Sequence, residues 1–325
     1  MPCVNSTQGF FFIKMTRPIF IYFAALLVIA PVVLAFSPIS FTHQLAICFP
    51  LIVLLGIPHG AIDNVLYMRE KKLSLVTFIS VYLILVLGNA LLWFIKPELA
   101  YLGFLFLSAY HFGQSQFSHY LNNKKIINKL AYLCWGISVL SGLIFFNLKE
   151  IEAIMSEHQD FIALKSIHDK ETIRYLFILS TAFTLGILFF LTVTLQIKKA
   201  TFFMEMLLLV SIFVSFNLLP LIIGFTFYFI ILHSLKVLRE EYAYLTFDDH
   251  TFGFRKFLNI LAPFTLLSVF GIALLFVLIA SKVLNFSYGY ILLITISSIT
   301  LPHAFVMNKF YNMLSFRGIN SNMTT

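Results

Sequence analysis

Gln44 to Leu66 reads QLAICFPLIVLLGIPHGAIDNVL, and its only charged residue is Asp63, close to the end. An α-helix needs about 20 predominantly apolar residues to cross the hydrocarbon of a bilayer. The stretch therefore reads as a membrane span. It also holds His59 directly after Pro58. An ionisable ring inside a span is costly and marks a functional position by default.

The same pattern extends along the chain. Ten spans are expected, at approximately 18–38, 44–66, 75–95, 98–118, 129–148, 174–196, 202–217, 218–238, 258–281 and 287–308. The seventh and eighth are separated only by Asn217 to Pro220, as a tight hairpin or as one broken helix. Composition agrees: 60% of residues are hydrophobic, 11% are charged, and mean hydropathy is +0.94. Soluble domains carry about 25% charged residues. The fold class read here is all-α, a polytopic membrane helix bundle with no soluble domain.

Charge orients the bundle. With the N-terminus inside, inner connections hold most of the 22 Lys and Arg, among them Lys14, Arg17, Arg69, Lys71, Lys72, Lys124, Lys198, Lys199, Lys236, Arg255, Lys309 and Arg317. This is the positive-inside pattern. It gives a cytoplasmic segment 1–17, a transmembrane domain 18–308 and a cytoplasmic tail 309–325, irregular from Gly318. The expected location is the cell membrane, as a multi-pass protein. The net charge of +8 is spread between spans, so no basic stripe for nucleic acid is formed. The run from Ile19 to Phe36 is long for a signal-peptide core and reads as a retained span. Cys3, Cys48 and Cys134 share no motif spacing, which argues against disulfides and thiolate metal sites. The longest outer connection, 149–173, has spaced apolar residues that suit a helix lying on the membrane.

His59, His111, His233 and His303 fall in the second, fourth, eighth and tenth spans. All four spans run in the same direction, and each histidine lies in the inner half, ahead of basic residues. Four rings at one depth are expected to converge, and holding a metal ion is the most economical use of them. The plain alternative is four unrelated, satisfied rings. Pro58 and Pro302 precede two of the four, and each frees a backbone carbonyl that opens the helix near the ring. Gly60 and Gly113 allow close helix approach or room for a ligand. Asp63, four residues after His59, either orients that ring through its second nitrogen or is a surface acid. Gln114 and Gln116 either donate to a bound water or dioxygen or are interfacial. Tyr110, Phe112, Phe225, Phe227, Tyr228 and Phe229 flank the centre and either line a tunnel or, with 39 Phe along the chain, face lipid. His119 is expected at the interface, and His43, His158, His168 and His250 at the surface.

Four stretches carry a family likeness: Gly56-Ile-Pro-His-Gly-Ala-Ile-Asp63, Ser108-Ala-Tyr-His-Phe-Gly113, His233-Ser-Leu-Lys-Val-Leu-Arg-Glu240 and Leu301-Pro-His-Ala-Phe-Val306. In these, and in their order, the chain resembles the Brp/Blh family of membrane β-carotene 15,15'-dioxygenases over roughly residues 45 to 310. The resemblance implies cleavage of β-carotene at its central double bond by O2, giving two retinals at a histidine-bound Fe(2+). It carries His59, His111 and His233 over as metal ligands and Asp63 as the acid of the first motif, the candidate catalytic residue. The family pattern has a second histidine four residues after the one at 233, where this chain has Val237, and an acid where this chain has Gln116. The centre then holds either three imidazoles or four, with His303 as the fourth. The partners implied are β-carotene, O2 and membrane lipid, with a functional link to a retinal-binding rhodopsin left open. A silent carotenoid-binding relative is one alternative. A transporter is another, although no repeat of the two halves is evident.

Overall fold

The computed structural model describes residues 6–68, 74–121, 125–248 and 251–316, with side chains except those of 6–17, 248 and 315–316. Cys3, Arg69, Lys71, Lys72, Lys124, His250, Arg317 and the expected irregular tail lie outside the described residues. Every element among the described residues is helical. The order is α1 (Ser6–Ala35), α2 (Phe41–Met68), α3 (Leu75–Ile95), α4 (Pro97–Phe117), α5 (Ile126–Phe146) and α6 (Leu148–Glu157), then a 3-10 stretch (Gln159–His168). It continues with α7 (Lys170–Val193), α8 (Lys199–Leu218), α9 (Leu221–Phe247), α10 (Phe254–Ala280) and α11 (Tyr288–Phe316).

Among the described residues, 9 helices are long and apolar enough to cross a membrane. This is an all-α polytopic bundle. A tenth long helix, α4, spans 21 residues and is more polar. Its second half carries Ser108, His111, Gln114, Ser115 and Gln116. It is packed against α3, α5 and α11, with the first four of those polar residues buried. That second half is covered by its neighbours and needs no apolar surface, whereas the first half exposes Leu99, Leu102 and Phe106. The contrast is α3, none of whose apolar window is buried.

The expected seventh and eighth spans are separate helices. Leu219 is extended (φ −108°, ψ 141°) and Pro220 opens α9. The free amides at that start are met from elsewhere in the fold. Glu150 accepts from Leu221 N at 2.9 Å, and Gln44 accepts from Ile222 N at 3.0 Å.

The 149–173 connection corrects the expectation of a helix on the membrane. Leu148, Ile151, Ile154, Met155, Phe161 and Leu164 turn inward, onto Trp93, Tyr101 and Tyr290. The segment caps one end of the bundle, because its apolar side finds protein closer than lipid. His168 is likewise buried, not a surface residue.

Two glycines set the closest crossing. A Cβ on Gly113 would overlap the Tyr132 carbonyl, and one on Gly136 would overlap the Ala109 carbonyl. The α4 and α5 backbones therefore touch, as small residues permit inside membranes. That contact seats α4 deep in the bundle, with its histidine inside.

Two helices are broken beside the histidines. α2 changes to a π-turn at Ile52–Gly56 and then to a 3-10 turn at Ile57–Gly60. α9 changes to a π-turn at Phe229–Ser234. π-turns are rare and concentrate at functional sites. The two pack against each other. Gly56 lets Phe229 approach closely there, since a Cβ would lie 2.7 Å from Phe229 Cε1 and displace that ring. The carbonyls released by the wide α2 turn are met nearby: Ser234 Oγ donates to Leu55 O, and His59 Nδ1 donates to Gly56 O.

Candidate metal centre

The four histidines of the apolar spans meet. Ring centroids are 4.8 Å apart for His59 and His303, 5.1 Å for His303 and His111, 4.8 Å for His111 and His233, and 5.3 Å for His233 and His59. Each contact is edge-on, so the rings form a closed circuit rather than a stack. All four are buried. One nitrogen from each of His59, His111 and His233 lies within 4.8 Å of the others. His303 stands outside that closest trio but completes the circuit from α11.

Hydrogen bonds fix which nitrogen carries the proton. The Gly56 carbonyl can only accept, so His59 Nδ1 carries the proton and leaves Nε2 free. His303 Nδ1 donates to the Asp63 carboxylate at 2.9 and 3.1 Å. Ser115 Oγ donates to Phe112 O at 3.0 Å, so it accepts from His233 Nδ1, also at 3.0 Å. Nδ1 of three rings is thus engaged in a hydrogen bond, which leaves Nε2 as the lone-pair nitrogen of each, the tautomer that outer partners impose on ligating histidines. Among the described residues His111 has no hydrogen-bond partner on either nitrogen, and His233 Nε2 and His303 Nε2 have none. A buried unpaired polar atom costs about 1–3 kcal/mol. Several on one small space are the mark of a group that would satisfy them all.

His59, His111 and His233 form a set that could hold a metal ion. Neutral imidazole suits Zn, Cu, Fe and Ni.

Several expectations are corrected here. Asp63 is buried, not a surface acid, and it orients His303 rather than His59. A regular helix would set residues 59 and 63 on one face. The 3-10 turn and the irregular residues 61–62 rotate the carboxylate toward α11 instead. Tyr82 Oη donates to Asp63 Oδ2 at 3.1 Å. The two glutamines are engaged away from the rings. Gln114 donates to Asn308 at 2.9 Å, and Gln116 donates to both oxygens of buried Glu205 at 2.9 and 3.0 Å. Of the flanking aromatics, Phe112, Phe225 and Phe229 line the cavity described below, whereas Phe227 and Tyr228 belong to the packed core. His119 is half-buried against Tyr120, and His43 is exposed. Val237, one turn beyond His233, is fully buried among Ile62, Leu66 and Met307. The fourth ring therefore comes from α11, not from a second position on α9.

Sequence reasoning missed Ser115, Ser234 and Tyr82. A hydroxyl in a span carries no signal of its own, and each acts through a partner on another helix.

A cavity of about 590 Å³ opens onto all four rings. Its walls are overwhelmingly apolar, from the cap residues Phe161 and Leu164 at one end to Leu83 and Leu267 at the side.

Fold and centre together define a class: a polytopic helical membrane protein with a buried four-histidine centre open to a greasy cavity. A family model described as Beta-carotene 15,15'-dioxygenase matches residues 50–311, and the chain belongs to that family. No curated protein and no solved structure gives a significant match.

Proposed function

We propose that this protein cleaves β-carotene at its central 15,15' double bond with O2, giving two retinals, at an Fe(2+) held by His59, His111, His233 and His303. The observation that carries the reading is the joining of a set of unpaired imidazole nitrogens to an apolar cavity in a chain of this family. The affinity order of divalent metals does not single out iron, so iron rests on the family. Iron bound there would supply the redox-active centre at which dioxygen reacts.

The reaction balances without a reductant. One carbon–carbon double bond breaks, two aldehydes form, and each takes one oxygen atom of O2. The residues' work is therefore holding and shielding. His59, His111 and His233 present nitrogen from three helices. Asp63, itself anchored by Tyr82, keeps the His303 proton on Nδ1 and acts as a positioning residue. Phe112, Phe225 and Phe229 exclude water and align the polyene beside the rings, which converts an encounter into a fixed geometry. A substrate with no charged group needs no ionic partner, and the apolar walls suit it. The reading includes a multi-pass location in the cell membrane, where carotene dissolves.

The test is metal content and retinal formation on one purified sample from carotene-producing bacteria. Iron near one equivalent and retinal are expected. His59→Ala and His111→Ala should each lose both. Folded, iron-loaded protein that forms no retinal would overturn the cleavage, and pigment carried but not consumed would point to a silent carotenoid binder.

A further inference from the structure

Away from the histidines, a second buried polar pair reaches the cavity at its capped end. Tyr101 Oη and His168 Nε2 are 3.1 Å apart, and both residues line the cavity with Phe161 and Leu164. The roles of the atoms follow from their partners. Leu164 O, 2.9 Å from His168 Nδ1, is a carbonyl and can only accept, so Nδ1 holds the proton. Nε2 is then an acceptor, and the Tyr101 hydroxyl must donate to it. Burial lowers the pKa of His168 below the usual histidine value, which keeps the ring neutral. The Tyr101 hydroxyl keeps a lone pair met by no donor among the described residues, on a side chain that lines the cavity.

The position of this acceptor is defined by α4. Tyr101, Phe104, Leu105, Ser108 and His111 line the cavity in turn, one stripe of a single helix. Ten residues separate Tyr101 from His111, about 15 Å at 1.5 Å per residue. That is comparable with the reach from the central double bond of β-carotene to the far edge of a terminal ring. A carotenoid with its middle at the histidines sets one ring against Tyr101.

We propose that Tyr101, held by His168, reads the end ring of the substrate: its oxygen accepts a hydrogen bond from a ring hydroxyl, so the cavity favours carotenoids hydroxylated on one ring over those that carry a ring ketone. The inference rests on the carotenoid reading above and specifies its substrate class. A ketone brings only acceptors and would face a lone pair. An unsubstituted ring fits but leaves the oxygen unpaired.

Purified protein is incubated without O2, so that no pigment is cleaved, in detergent micelles with equal amounts of β-carotene, β-cryptoxanthin (one ring hydroxyl) and echinenone (one ring ketone), and the retained pigments are separated by chromatography. β-Cryptoxanthin is expected to be enriched about threefold to tenfold over each of the others, the scale of one neutral hydrogen bond. In Tyr101→Phe the ratio of hydroxylated to unsubstituted pigment should fall to that of the micelle. Retention of all three at the micelle ratio by the unaltered protein, or enrichment that survives Tyr101→Phe, overturns the inference alone. Retention of none overturns the carotenoid reading and the inference with it. The wild-type ratio stands as a test even where the variant does not fold.

Discussion

At the scale of residues, the centre depends on protons held outside it. His303 Nδ1 is tied to a carboxylate, while His233 Nδ1 is tied to a neutral serine hydroxyl. Hydrogen bonds to charged groups are about twice as strong as neutral ones. Asp63→Ala should therefore loosen the ring on α11 and lower metal affinity by about 10- to 100-fold. Ser115→Ala should lower it by about tenfold or less, the scale of one neutral bond. Competition with a graded chelator measures both, and equal affinity in Asp63→Ala would remove His303 from the metal set. The four histidines were legible in the sequence because ionisable rings stand out in apolar runs. The partner of Asp63 was not, because spacing arguments assume an α-helical register that α2 abandons between His59 and Asp63.

At the scale of elements, the decisive features are a crossing and two broken helices. Gly113 already read as a site of close approach, but its opposite number could not be read. Gly136 matters only because the Ala109 carbonyl lies where its Cβ would be. Nothing flexible can move aside there, since both overlaps are with backbone. Gly136→Ala should push α4 away from α5 and destabilise the bundle by about 1–3 kcal/mol, the usual range for overpacking. Gly88→Ala is the matched control: nothing lies within 4 Å of its added Cβ. That change should be neutral or stabilise by up to about 1 kcal/mol. Thermal unfolding in detergent compares them, and equal melting temperatures would contradict the crossing. The π-turns of α2 and α9 left no compositional trace, because one extra residue in a turn changes register without changing hydropathy. Pro58 signalled a disturbance in α2 only in general terms, and α9 has no proline inside its π-turn.

At the scale of the whole molecule, the bundle was legible from the lengths of apolar runs, and the cap was not. Residues 149–173 look amphipathic alone, and only the assembled bundle presents Trp93, Tyr101 and Tyr290 for them to cover. The proposed lipid-dissolved substrate needs a way in. The cavity walls include Leu83 of α3 and Leu267 of α10, which are 50% and 64% exposed. Residues that face both the cavity and the exterior mark a sideways opening. Both helices pack on α11, which carries His303, so an opening between them leads directly to the rings. α3 and α10 are also among the least buried helices, with 0% and 11% of their apolar windows covered. Substrate is therefore expected to enter from the membrane between them. Leu83→Trp combined with Leu267→Trp should narrow that passage without touching the histidines. The initial rate of retinal formation should fall on the order of tenfold, equivalent to about 1.4 kcal/mol on the entry barrier. Iron content and melting temperature should stay at wild-type values, which separates a blocked entrance from a damaged centre. An unchanged rate with both tryptophans in place would mean that carotene reaches the rings by another route.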